Sequence, residues 1–300
     1  MPAAEIRVDY ASAALHGPDA LSKVDAAGIF CRQQGWQFGI QIHNSESRAD
    51  IKRLARLGAP LSWHGPLCSK YFMNLAGGES SHAEQSARKT ARIMHKYDPS
   101  LVVFHGFLMT DYPVRAFNRK CGFEEAMSAG ARPELHHDDG RLILDYCDTD
   151  EHLERLDRVR GRCRWLGENF PDIVWCIEND FPVYGGGLLL ARHMLAVDSP
   201  LCLDTSHLWT TCVLFRQDFH AEVDQLAQAG RVRCVHLHAS PLAPEEPGDW
   251  QDGHQPLNTP NRMDLPRLVR RLHEAGMRHW VLEMPRASLV DLQTLAQWLA

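Results

Sequence analysis

Six short apolar runs of the chain finish on residues able to bind a metal. They are His64 in SWH, His105 in VVFH, Glu178 in WCIE, Asp204 in CLD, His236 in CVH and Glu283 in VLE. Three more candidates stand just beyond such ends. His207 follows Asp204 by three positions, and Asp252 and His254 belong to the polar stretch GDWQDGHQPLN. These last two are two apart, so an extended backbone points both the same way. One such residue alone is ordinarily a hydrogen-bonded core group, a cap or a solvated loop residue. Nine at the ends of consecutive runs are a different matter. Left unpaired together they would repel and be desolvated, and divalent cations remove both costs. Histidine nitrogen with Asp and Glu oxygen, and no Cys, suits Zn²⁺, Mn²⁺ or Fe²⁺. One ion takes three or four protein ligands. Nine ligands suit three ions if one carboxylate bridges.

The elements that must position these residues are legible as an alternation. Eight apolar, β-branched or aromatic runs recur: EIRVDY (5–10), QFGIQIHN (37–44), APLSWHG (59–65), SLVVFHG (100–106), DIVWCIEN (172–179), PLCLDTSH (200–207), RVRCVHLH (231–238) and HWVLEMP (279–285). Between them lie stretches such as SRADIKRLARLG and RMDLPRLVRRLHEAG, with apolar residues three and four apart and a closing Gly. Such stretches read as amphipathic helices. Eight strands alternating with helices predict an α/β fold, a (β/α)8 TIM barrel in which all strand C-termini converge on one mouth. A doubly wound sheet is the rival, and no G-x-G-x-x-G or P-loop supports it. No repeat or Gly/Ser linker divides the chain, so residues 1–300 are expected to form one domain. One step is irregular. His105 and Glu178 are 73 positions apart, where a barrel step takes roughly 25–40 residues. The surplus, about 111–150, follows a strand end and is expected over the mouth as a lid-like insertion. RLILDY within it reads as a short strand, and HHDD (136–139) as a turn before Gly140.

Composition narrows the class. The chain has 300 residues, 44% hydrophobic and 23% charged, with a formal net charge of −6. This is enough for a large core, and it is not the balance of a strongly basic nucleic-acid binder. The nine cysteines are scattered, with no C-x-x-C pair. They read as reduced thiols. The start MPAAEIRVDY has no apolar leader, and no run approaches about 18 apolar residues. The expectation is a cytoplasmic protein that does not engage a membrane.

The order of motifs resembles endonuclease IV, the trinuclear-zinc apurinic/apyrimidinic endonucleases of the xylose isomerase-like TIM barrels. The matching segments are HGPLCSKYFMNLA, VVFHG, CIENDFPVYGGG, CLDTSHLW, VHLHAS, DGH and LEMP, spread from about residue 5 to 285. All nine ligand positions of that family meet a compatible residue, in order. The resemblance implies a first metal on His64, His105 and Glu178. Glu178 would bridge to a second, completed by Asp204, His236 and Glu283, and His207, Asp252 and His254 would hold a third. Zinc is the first expectation, with manganese or iron as alternatives. The implied reaction is in-line attack of water on phosphorus while the metals clamp the phosphate. Glu178 and Glu283 are the implied catalytic carboxylates, Glu283 helping to position the nucleophile. Tyr71 and Phe72 would enter a DNA minor groove as apolar wedges do, unless they simply pack within their loop.

The chain also departs from the family pattern. The loop from His64 to Tyr71 is about three residues longer. VHLHAS replaces the usual His-Leu-Asn-Asp, so His238 and Ala239 stand where Asn and Asp are expected. His238 is then a supporting or substrate-binding group, or an inward-packed residue two from His236. SPLAPEEPGDWQ is longer and more acidic, and the 111–150 excursion could cover the groove where a duplex would lie. The expected partner is therefore a phosphoester, abasic-site duplex DNA in a repair role or else a small molecule. The alternative is a sugar isomerase or epimerase of the same superfamily. It needs only Glu178, Asp204, His236 and Glu283, whose carboxylates would move a proton beside a hydroxyl-carbonyl pair. It leaves His64, His105, Asp252 and His254 without a task. A non-enzymatic binding barrel has no use for the full set.

Overall fold

Alternate residues of a strand face opposite sides, and in a closed barrel one side is a filled interior. The computed structural model describes residues 5–117, 121–138, 140–143, 146–243 and 252–300. All eight runs are strands: β1 Arg7–Ala11, β2 Gln37–Ile42, β3 Leu61–Gly65, β4 Leu101–Phe104, β5 Val174–Glu178, β6 Leu201–Asp204, β7 Val232–Leu237 and β8 His279–Leu282. Each pairs in parallel with the next, and β8 closes on β1. The helices are α1 Ala20–Gln33, α2 Arg48–Ala55, α3 Ser81–Met94, α4 Phe123–Ser128, α5 Asp150–Asn169, α6 Ala191–Ala196, α7 Thr205–Phe215, α8 Phe219–Ala229, α9 Leu265–Glu274 and α10 Leu289–Leu299. The expected (β/α)8 TIM barrel is the fold found. No described helix is long and apolar enough to cross a membrane.

The interior is layered. At the strand starts Asp9 is fully buried and takes Arg7 Nε at 2.7 Å, Ser62 Oγ at 2.6 Å and His279 Nε2 at 3.0 Å. Above this polar floor Val103, Cys176, Cys202, Cys234 and Val281, one from each of β4 to β8, form a separate buried cluster. Two positions further along the chain from each stand His105, Glu178, Asp204, His236 and Glu283, in these strands or one residue past their ends. Period two alone therefore lifts five chemistry-bearing residues to the mouth. The outward residues, among them Tyr10, Ile40, Trp63, Phe104, Trp175, Leu203 and Trp280, pack in the main core beneath the helices. All nine cysteines are free, and three of them fill the inner cluster.

The chain between β4 and α5 runs over the mouth. It contains α4 and a 3-10 turn at Pro133–Leu135. Isolated bridges tie it down: Tyr71 to Arg115, Leu108 to Gly186 and Arg141 to Val183. Arg155 of α5 anchors it from below, with Nη1 3.0 Å from Asp111 Oδ1 and 3.2 Å from the Ala76 carbonyl. Among the described residues, the short strand expected at RLILDY is not seen. Arg141 and Leu142 make single bridges to different partners, and residues 144 and 145 lie outside the described residues. The turn at HHDD is present, with the Gly140 N–H donating to the His137 carbonyl at 2.9 Å. Asp139 is outside the described residues, as is most of SPLAPEEPGDWQ (244–251).

Candidate metal centre at the barrel mouth

The strand ends bring all nine candidate residues into one neighbourhood, as three groups, the first and third centred on a carboxylate and the second on His236. In the first, His64 Nε2 and His105 Nε2 lie 3.1 and 3.3 Å from the same oxygen, Glu178 Oε2. In the second, His236 Nδ1 lies 2.7 Å from Glu178 Oε1, 2.9 Å from Glu283 Oε2 and 3.9 Å from Asp204 Oδ2. Glu178 is common to both. In the third, His207 Nε2 and His254 Nε2 lie 2.9 and 2.8 Å from Asp252 Oδ2. The rings form a chain across the mouth: His236 to His64 and His64 to His105 at 5.5 Å, then His105 to His207 at 5.6 Å between centroids.

Asp204 joins the third group to the others. It is the N-cap of α7, its Oδ1 accepting the His207 N–H at 2.8 Å. Such a cap satisfies an orphan donor of the first turn. Its Oδ2 faces His238 Nε2 at 2.8 Å, and the Nδ1 of that ring accepts the His254 N–H at 2.9 Å. Asn179 fixes the Asp204 backbone on both sides, accepting its N–H at 2.7 Å and donating to its carbonyl at 3.0 Å.

The outer contacts set the tautomers. His207 Nδ1–H donates to the Asn179 carbonyl (2.9 Å) and His254 Nδ1–H to the Glu283 carbonyl (2.7 Å). His105 Nδ1 faces Asp180 Oδ1 at 3.3 Å, and the other Asp180 oxygen takes the N–H groups of Gly187 and Leu188. With Nδ1 protonated, each Nε2 offers a lone pair, and each lone pair faces a carboxylate. Ligating histidines are held in this manner by their second ring nitrogen. Two lone pairs face to face repel unless a proton or a cation lies between them.

Titration follows from that conflict. Burial drives His207 down, but Asp204 and Asp252 outweigh it and hold it well above its ordinary value. Burial is likewise outweighed at His236 by Glu178 and Glu283, and at His254 by Asp252, which raises it to about 10. Burial pushes Glu178 up, while His236 and His105 hold it well below the carboxylate range. His43 is the exception. Burial, reinforced by the His64 charge, lowers it to about 3, so it stays neutral.

The donor set fits divalent cations. Glu178 Oε2 and Asp252 Oδ1 are buried and accept no hydrogen bond among the described residues. An unsatisfied buried acceptor is costly, and a cation would satisfy it. The triads His64–His105–Glu178 and His64–His236–Glu283 each bring one ligand atom per residue within 4.8 Å of one another. A similar triad, Asp148–His152–His193, does not fit. His152 accepts the Asp148 N–H and donates to the Gly187 carbonyl, so its ring is spent on structure.

The groups face a cavity of about 450 Å³. Its floor includes His64, His105, Glu178, His207, Asp252, His254 and Glu283, and its roof Phe72, Leu108, Phe117, Met127 and Tyr184. Phe72 is not an exposed wedge. It is 5% exposed and packs with Leu108, Val114 and Met127. Tyr71 turns away and stacks on His82 at 4.1 Å. His238 does not reach the cavity. It is fully buried beneath the third group, because Asp204 and the His254 backbone claim both ring nitrogens. The sequence reading missed His43 and Asp180. Both are two residues beyond an inward strand position, His43 after Gln41 and Asp180 after Glu178, and that period was the available signal. It also missed Phe117, Phe123, Glu124 and Met127, whose place over the mouth no local pattern reveals.

No protein-family model matches the chain, and a comparison with curated proteins gives no match. Solved structures do match. Endonuclease IV from Thermus thermophilus is 21% identical, with 98% of each chain covered and a TM-score of 0.50. A xylose isomerase domain containing protein from Salmonella typhimurium is 14% identical, with 99% of this chain and 95% of that one covered and a TM-score of 0.53. At these identities the likeness is one of fold, the (β/α)8 TIM barrel described above.

Proposed function

We propose that the protein is a metal-dependent hydrolase of phosphoester bonds that holds three divalent ions on its nine mouth residues. The observation that carries this reading is the merging of three groups through Glu178 and Asp204, with an orphaned acceptor in the first and another in the third. His64, His105 and Glu178 would hold one ion, Glu178, Asp204, His236 and Glu283 a second, and His207, Asp252 and His254 a third. Ions there would polarise phosphoryl oxygens and acidify water. Glu283 opens on the cavity and is the carboxylate placed to accept a hydrogen bond from the attacking water. The water oxygen bonds phosphorus, the bond to the leaving oxygen breaks, and the water's proton passes to that oxygen. Glu178 and Asp204 hold the histidines in register.

The isomerase reading uses the second group alone and leaves the third idle. The tie of the third group to Asp204 through His238 argues for the larger set. Zinc, manganese or iron is compatible with these donors. A reducing cytoplasmic setting suits nine cysteines that are all free. The test is release of nitrophenolate from bis(p-nitrophenyl) phosphate by protein loaded with each metal in turn. Turnover that falls about 100-fold or more in Glu283→Gln supports the reading. Aldose–ketose interconversion with no phosphoester cleavage under any of the metals overturns it.

A further inference from the structure

Resting on the phosphoester reading, we propose that the substrate is a small phosphate ester whose single phosphate sits on the mouth residues and whose apolar, ring-bearing group fills the space under the roof, rather than duplex DNA. Three observations point the same way. First, the loop after β3 is stitched to the insertion. The Phe72 N–H donates to the Val114 carbonyl at 2.9 Å and the Ala116 N–H to the Lys70 carbonyl at 3.1 Å, around the Tyr71–Arg115 bridge. A loop engaged in this ladder is not free to enter a groove. Second, the cavity is about 450 Å³ and its roof presents Phe72, Leu108, Phe117, Met127 and Tyr184. That is the size and lining of a small-ligand site, apolar walls around a few convergent polar groups. Third, Glu124 of α4 also lines the cavity, on the roof side. A carboxylate there disfavours a second phosphate, as duplex DNA would bring, and leaves an uncharged ring undisturbed.

The experiment is calorimetric titration of the zinc-loaded full-length protein with phenylphosphonate, with methylphosphonate and with a short duplex bearing one abasic site. Phenylphosphonate is expected to bind at least about tenfold more tightly than methylphosphonate. Phe117→Ala is expected to bring the two within about twofold of each other at unchanged zinc content. Phe117 is half-buried, so the variant keeps the core. Equal binding of both phosphonates to the unaltered protein overturns the ring-bearing substrate and leaves the phosphoester reading standing. Binding of the duplex more tightly than phenylphosphonate overturns it as well. If neither phosphonate binds to zinc-loaded protein, the phosphoester reading falls and this inference with it.

Discussion

His238 Nε2 donates to Asp204 Oδ2 at 2.8 Å, while Nδ1 of the same ring accepts the His254 N–H. One buried ring thus holds a candidate ligand of the second group and the backbone of the third. The Nδ1 contact requires a lone pair there, so the proton is on Nε2. His238→Ala should lower metal affinity about 10- to 100-fold, the usual effect of losing such an outer partner. His238→Gln offers an amide N–H to Asp204 and a carbonyl to the His254 N–H. It should therefore lose less metal affinity than His238→Ala. Metal titration of both variants checks this, and identical losses in the two would show that these two hydrogen bonds are not what the ring contributes.

His254 approaches Asp252 from a strained backbone, with φ 37°. A non-glycine residue in this region costs about 1–3 kcal/mol and persists where surrounding contacts impose it. Here the imposing contacts are the Nδ1 bond to Glu283 and the N–H bond to His238. His254→Ala should reduce the metal content from about three ions per chain to about two. Elemental analysis reads this directly. Chelation of the unaltered protein should also lower its thermal midpoint, since ions that bind only the native state stabilise it.

The barrel was legible because each strand run is apolar, short and followed by a helix-period stretch, and because the eight recur without a rival motif. Strand-end residues such as His64 and Glu178 were legible for the same reason, since period two carries an inward position to the mouth. His238 was legible only as an anomaly. Its two hydrogen bonds reach Asp204, 34 positions away, and His254, 16 positions away, and no local pattern encodes such pairings. The roof was legible as surplus length and not as chemistry. Phe117 and Met127 face the cavity because α5 and the loop after β3 anchor the insertion, through Arg155–Asp111 and Lys70–Ala116. RLILDY reads as a strand by composition, but among the described residues its partners are single bridges, which cannot sustain one.

The polar floor of the barrel should make stability depend on pH in a defined sense. Burial opposes the charge on His279, and Cys234 and Asp9 overcome it, so its folded pKa is raised. Burial opposes the Asp9 carboxylate, and His279 and Arg7 overcome it, so its pKa is lowered. The His279 contribution is then fully present below its unfolded pKa of about 6.5 and is lost as pH rises through the raised value. The Asp9 contribution is present above about 4 and is lost as pH falls toward the lowered one. Urea denaturation of the unaltered protein and of Asp9→Asn should differ most between about pH 4.5 and 6.5, with the difference shrinking toward pH 9. A difference that stays constant up to pH 9 would mean that Asp9 acts through Arg7 alone.

Gly253 separates Asp252 and His254, the two candidate ligands of its loop, because nothing larger fits beneath that loop. A Cβ at that position would stand 2.5 Å from the Ala239 carbonyl oxygen and 2.8 Å from Ser240 Cα. Both are backbone atoms just past the end of β7, so neither can swing aside as a side-chain tip would. The Gly253 N–H also donates to Ser206 Oγ at 3.0 Å, and the strand-like pairing of Ala239 with Gln255 holds the loop from the other side. Gly253→Ala must therefore push the loop outward, carrying Asp252 and His254 away from His207. The expected cost is about 1–3 kcal/mol of stability, in the range of overpacked sites. The expected loss is one ion per chain, with the first two groups still loaded. Denaturation and elemental analysis of the same preparation read both effects. A variant that keeps its full metal content would show that the loop can shift without moving the ligands, and that the close approach to β7 is not what places the third group.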